Sequence, residues 1–256
     1  RVLDRLYPPA CVLCRGVREP IPGFPGLCRT CLSRLPHRVG TDRWLPCLEH
    51  PVARDPLENM RVAVALHYRG PVRNLLLDLK FHDASHAART LGALCAPILR
   101  ERAVAADLVA SVPLHPERKR ERGYDQAALV AAGLAEGLRL PLGAGLLVRT
   151  RSTRPQSTLT GHGDRIRNMA DSFACPCPDR VRGRQVVLAD DVLTSGATLH
   201  AAALALARAG ARSVTGATAA SGRREEGGGL LSDRCRDDIL GLPGMFDQPR
   251  FLNPHD

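Results

Sequence analysis

Lysine is almost missing from this chain. Lys80 and Lys119 are the only two, and the other 34 basic residues are arginines. Aromatic residues are also scarce, at 4 %, with Trp44 the single tryptophan. That scarcity excludes a broad platform of stacked rings for single-stranded nucleic acid. No stretch reaches the ~18 consecutive apolar residues of a membrane helix. The first residues lack the apolar segment of a secretory leader, so a soluble, cytoplasmic protein is expected. What is present is 256 residues with 44 % hydrophobic content, enough for a domain and a small appendage; wholesale disorder is excluded. A net charge of +10 and a pI near 9.6 predict a surface that attracts phosphates, nucleotides or nucleic acid. A GC-rich genome also favours arginine, so the bias alone names no partner.

Nine cysteines make an odd count for a disulfide framework. Four of them have the grammar of a metal site. Cys11 and Cys14 form one C-x2-C pair, Cys28 and Cys31 form a second, and thirteen residues rich in Pro and Gly separate the pairs. Two such knuckles supply the four tetrahedral ligands of a closed, structural zinc site, which would hold together a segment too poor in apolar residues to build its own core. Cys47 and His50 form a C-x2-H that is open to three readings: replacement of one pair, a second metal, or no metal at all. Cys95 reads as core, and Cys175 and Cys177 lie in a Pro-rich turn.

After about residue 60 the pattern becomes regular. A strand is predicted over 62–67, helices over 74–80 and about 86–102, and a β-rich run over 108–113. An Ala/Leu-rich helix over 124–137 and a short strand over 145–149 follow. The continuous apolar run 185–189 reads as a buried parallel strand, with a helix over 198–209 closed by Gly210 and a strand over 214–219. This alternation predicts an α/β fold, a parallel sheet flanked by helices. The division expected is a cysteine-rich module at 1–58, an α/β domain at 59–220 and an irregular tail at 221–256. Between residues 139 and 184 there are nine arginines against three acids, the composition of a functional loop.

The segment from Val186 to Thr198 carries the chemistry. A buried strand runs into Asp190-Asp191, two apolar residues, then Thr194-Ser195-Gly196-Ala197-Thr198 opening a helix. Small residues at a helix N-terminus let backbone N–H groups converge on an anion, and the hydroxyls add donors. No lysine follows, so this is not the P-loop of nucleotide hydrolases. The two aspartates suit vicinal sugar hydroxyls or a hydrated magnesium ion. The segment resembles the phosphoribosyl-pyrophosphate motif of type I phosphoribosyltransferases. Val112 to Pro116, Arg118, Arg122 to Gln126, Arg154 to Gln156, Arg165, Asn168 and Phe173, with Leu79-Lys80-Phe81 and the cysteine pairs, narrow the resemblance to the ComF family. These are phosphoribosyltransferase-like proteins tied to natural competence and use of external DNA. Two departures stand out: Cys47 and His50 where many members carry a third C-x-x-C, and Asp125 where Asn is common.

The resemblance implies roles. Asp190 and Asp191 would hold the ribose hydroxyls and magnesium, and Thr194, Ser195, Gly196, Ala197 and Thr198 the 5′-phosphate. Pro113, Leu114 and His115 would approach pyrophosphate through backbone amides, with Lys80, Arg118, Arg122 and Arg165 as cations. Residues 154–168 would form a flap. Arg118-Lys119-Arg120 also reads as a solvated helix face, and His115 as a plain turn residue rather than a general base. Two functions follow. One is a magnesium-dependent phosphoribosyl transferase whose acceptor the sequence does not name. The other is a non-catalytic competence factor gripping single-stranded DNA with the zinc module and basic flap. A competence helicase-type protein is a further expected partner.

Overall fold

The computed structural model describes residues 10–16, 21, 24, 26–49, 55–81, 85–150 and 171–223. Four strands are parallel: β2 (Arg61–His67), β3 (Leu108–Ser111), β6 (Gln185–Leu193) and β7 (Ser213–Ser221). With the short β1 (Trp44–Pro46), antiparallel to β2, they form a mixed sheet of order β1-β2-β7-β6-β3. The strands read as unbroken apolar runs because both faces are covered. Val187, Ala189, Val109, Ala63 and Ala65 belong to one core cluster, whereas Val186, Leu188, Leu108, Val62 and Val64 belong to the other.

The first cluster takes in α2 (Gly70–Phe81), α3 (Ser85–Ala93), α4 (Ala96–Glu101) and α6 (Gln126–Leu138). The second takes in α7 (Ala197–Arg208) and Phe173 of a two-stranded ribbon, β4 (Val148–Arg149) with β5 (Phe173–Ala174). Helices α3 and α6 touch backbone to backbone. A Cβ on Gly92 would lie 1.9 Å from the Val130 carbonyl, and one on Gly133 1.8 Å from that of Arg89. Among the described residues no helix is long and apolar enough to cross a membrane.

Several boundaries differ from the sequence reading. The helix expected at 74–80 begins at Gly70, since Gly-Pro opens its first turn and Pro is well placed there. The helix expected at 86–102 is two helices, because Pro97 cannot donate within a continuous ladder and instead starts α4 behind Cys95. Strand β6 runs on through both aspartates to Leu193. The short helix α1 (Arg29–Ser33) carries Cys31 and is capped by Cys28, and Cys11, Leu27, Cys28, Leu32 and Leu35 pack in the same cluster as Leu66 and Leu91. The division at residue 58 is therefore proposed from composition alone: residues on either side share one sheet and one core. The tail beyond 223 lies outside the described residues.

Candidate functional site

The carboxyl ends of β3 and β6 open into a cleft of about 340 Å3. In open parallel sheets this is the end at which ligands bind. Its walls include Asp190 and Asp191 from the end of β6, Thr194 and Gly196 from the β6–α7 turn and Thr198 from the start of α7, and Pro113, Leu114 and Arg118 from the segment after β3. Residues 70 to 85 positions apart in sequence are thus brought to one hollow. Ser195, Ala197 and His115 belong to the same turns but are not part of the cleft wall. The side chains of Lys80 and Arg122, all of Arg165 and the flap at 154–168 lie outside what is described.

Gly196 shapes the turn. Its φ of +83° is a left-handed conformation, and a Cβ there would lie 1.8 Å from the Cys47 carbonyl. Only glycine satisfies both conditions. Helix α7 then starts at Ala197, and the Ala197 N–H reaches Ser195 Oγ at 3.5 Å, a long contact. The Asp191 N–H donates to Asp190 Oδ1 at 2.9 Å and the Val192 N–H to Asp191 Oδ1 at 2.8 Å, which turns each carboxylate back against its own chain. Burial first, then Asp191 and Asp125, raises the Asp190 pKa well above the usual carboxylate range. A cation or a pair of sugar hydroxyls would relieve that crowding.

On the other wall, Asp125 caps α6 through the Ala128 N–H (3.1 Å) and also accepts from the Leu114 N–H at 3.2 Å. Both carboxylate oxygens are used, whereas an Asn would offer one acceptor. This bears on Pro113–His115, the turn expected to approach pyrophosphate through backbone amides. Pro113 has no N–H and that of Leu114 is held by Asp125, which leaves the His115 N–H. The His115 ring caps α5 (Pro116–Arg122), its Nδ1 accepting from Glu117 N–H at 3.4 Å. Arg118, Lys119 and Arg120 are exposed, and of these Arg118 lines the cleft.

Four residues that the sequence reading gave no role contribute here: Arg149, Tyr124, Gln126 and His200. Arg149 lines the cleft from β4 with its guanidinium 5.4 Å from the centre of the Phe173 ring. Burial lowers its pKa and Arg118 acts the same way, while Asp190 opposes them. Tyr124 and Gln126 both donate to the Leu79 carbonyl, Gln126 at 2.9 Å, and so fix the end of α2 that carries Lys80. Beneath the loop, buried His200 of α7 meets Asp55 Oδ1 at 3.0 Å.

The sulfurs of Cys11, Cys14, Cys28 and Cys31 all lie within 4.8 Å of one another. The Cys14–Cys28 separation is 3.9 Å. That matches the ~3.8 Å edge of a tetrahedron with metal–sulfur bonds of about 2.3 Å, and is far beyond a disulfide of about 2.05 Å. The Cys31 N–H points at Cys28 Sγ (3.4 Å). Burial opposes ionisation of Cys11, yet backbone hydrogen bonds from Cys14, Cys28 and Leu13 lower its pKa to about 6. Burial and the neighbouring thiols push Cys31 up instead. Four sulfurs converging on one point, with Cys11 disposed to ionise, fit a metal ion. Cys47 is not in this group. It is buried against the β6–α7 turn with its thiol 3.8 Å from the Gly196 carbonyl, and burial pushes its pKa up to about 12. It therefore replaces neither pair; His50 lies outside the described residues.

The phosphoribosyl transferase domain family matches residues 125–230. The DNA utilization protein YhgH of Escherichia coli K12 is 32 % identical over 179 residues, covering 68 % of this chain and 77 % of that protein. This chain belongs to the ComF family. Another ComF relative, Competence protein F of Haemophilus influenzae, is 29 % identical over 73 % of this chain and 81 % of its own length. Among solved structures, an allosteric regulatory enzyme of purine biosynthesis matches 56 % of this ComF chain and 30 % of its own, at 22 % identity and a TM-score of 0.39.

Proposed function

We propose that this ComF protein binds phosphoribosyl pyrophosphate together with magnesium and acts in the cytoplasm in the uptake or utilisation of DNA. The observation that carries the reading is the convergence of Asp190, Asp191, Thr194, Gly196 and Thr198 with Pro113, Leu114 and Arg118 on one cleft. A ribose 5-phosphate suits the β6–α7 turn, with hydroxyls at the carboxylates and phosphate at the helix N-terminus. Arg118 and Arg149 then stand on the side that a pyrophosphate would occupy. Magnesium would be held by Asp190 and Asp191, and it offsets diphosphate charge. The cysteine group, read as zinc-binding, has no open coordination position and is structural. The names of the relatives support the DNA setting.

The same arrangement suits pentosyl transfer, in which pyrophosphate departs from C1 and an acceptor replaces it. Such a step asks the protein for positioning and charge management rather than for a nucleophile. Single-stranded DNA is the alternative ligand, supported by the arginines between 139 and 184, and a competence helicase-type protein is the proposed partner.

Calorimetric titration with phosphoribosyl pyrophosphate, with and without magnesium and with single-stranded DNA in competition, tests the reading. Asp190→Asn with Asp191→Asn should weaken phosphoribosyl pyrophosphate about tenfold or more per lost contact, at roughly 1.5–3 kcal/mol each, while weak ribose 5-phosphate binding survives. Unchanged binding in a folded double variant, or displacement by DNA of a ligand that needs no magnesium, removes the proposal.

A further inference from the structure

Arg223 lies two positions beyond β7 and is not part of the cleft wall. It nonetheless grips the phosphate loop from behind. Its Nε donates to the Thr194 carbonyl, Nη1 to that of Pro46 at 2.8 Å and Nη2 to that of Cys47 at 3.0 Å. Arg223 is itself held. Its N–H donates to Ser221 Oγ at 3.1 Å, and its carbonyl accepts from the fully buried Arg38. Ser221 Oγ in turn donates to the Leu193 carbonyl at 2.7 Å.

The carbonyls of the two residues before Ser195 are therefore tied down by Ser221 and Arg223. In a trans peptide the C=O and the following N–H point in opposite directions. Fixing the Thr194 carbonyl toward Arg223 aims the Ser195 N–H away from it, and fixing the Leu193 carbonyl does the same for Thr194 N–H. Gly196 seats the next turn of the loop on the same support, since a Cβ there would also come within 2.9 Å of Arg223 Nη2. Arginine stays protonated in such a setting, and the guanidinium fork can serve three carbonyls where an ammonium cannot.

We propose that Arg223 is a positioning residue for the 5′-phosphate, holding the Thr194 peptide so that the first amides of the loop face the anion, with its own charge fixed behind them. The inference rests on the phosphoribosyl reading for the identity of the anion, but the aiming of the loop is measurable without ligand. Amide exchange over residues 193–198 of the full chain, and calorimetry with ribose 5-phosphate and inorganic pyrophosphate as separate probes, test it. In Arg223→Met, exchange at Thr194 and Ser195 should quicken at least tenfold. Ribose 5-phosphate affinity should fall about tenfold or more, with pyrophosphate changed less than twofold. Arg223→Lys keeps the charge and should lie nearer the Met variant than the wild type in both measurements. Unchanged exchange in both variants, full rescue by lysine, or an equal fall for the two probes overturns the inference. Wild-type protein that binds neither ribose 5-phosphate nor phosphoribosyl pyrophosphate overturns the functional reading instead, and the exchange rates still decide whether Arg223 aims the loop. Should the Met variant fail to fold, the Lys variant carries the same comparison.

Discussion

Asp190 lines the cleft beside Asp191, with Asp125 on the same hollow, and its pKa is raised by burial first and then by those two carboxylates. An unfolded Asp titrates near 3.9. Between that value and the raised folded one the native state binds more protons than the unfolded state, so this group's contribution to stability is lost as pH rises through the folded pKa. A carboxyl crowded and buried in this way is a burden on the unliganded protein at neutral pH that ligand would lift. Asp190→Asn is therefore expected to raise the melting temperature of the unliganded protein by a few degrees, roughly 2–4 °C per kcal/mol for a chain of this size, while phosphoribosyl pyrophosphate affinity falls. Differential scanning calorimetry at pH 7 checks it, and a lower melting temperature would show that the carboxylate is stabilising. Residue types at this scale were legible where the chemistry is local. The run from Asp190 to Thr198 is a contiguous string whose spacing carries its own meaning. Arg149 and His200 were not, because each acts through a partner distant in sequence, and Asp125 stood out as a departure from the common Asn without its partner being named. Asp125 reaches back 11 residues to Leu114, and His200 reaches 145 to Asp55. Glycine 196 was legible for a different reason than its structural one: small size in an anion nest predicts it, yet the closest obstacle is the Cys47 carbonyl behind the loop.

Among the elements, the cysteine pairs and α1 form a unit whose apolar residues join the main core, through Leu27, Leu32 and Leu35. Removing metal from four converging sulfurs should loosen that unit first. About one zinc per chain is expected in freshly reduced protein, and Cys11→Ser with Cys28→Ser should release it; structural zinc sites contribute on the order of 10 kcal/mol to folding in small peptides. Elemental analysis and amide exchange over residues 10–35 are the measurements, and full zinc retention in the double variant would dismiss the assignment. Elements were readable from sequence wherever apolar period was long, as in β2, β6 and α6. The breaks were harder. Pro97 divides α3 from α4 although the apolar pattern continues across it. The ends of β6 were misjudged because half-buried carboxylates continue a ladder paired on one side with β7, where Asp190 faces Thr218.

For the whole molecule, the alternation of strands and helices was enough to predict the sheet, but not its order. Strand order depends on which helices cross to which face, and nothing in a local window encodes that. In the order β1-β2-β7-β6-β3, the last described strand lies between strands that precede it by some 20 to 150 residues. The consequence concerns synthesis. As the chain leaves the ribosome, β2 and β6 have no direct partnership with each other, and the sheet stays in two halves until residues 213–221 emerge. Pairings of such long sequence separation form late and leave strand edges exposed meanwhile. A chain stopped after Arg212 should lack a cooperative unfolding transition and should aggregate, which urea titration and light scattering would detect; a soluble, cooperatively folded product would mean that the two halves close without their keystone. The residues that complete the sheet also deliver Ser221 and Arg223 to the loop that opens α7. A nascent chain therefore acquires its central strand and the geometry of the 194–198 loop in one late event, and under the proposed function has little opportunity to bind ligand while partly made.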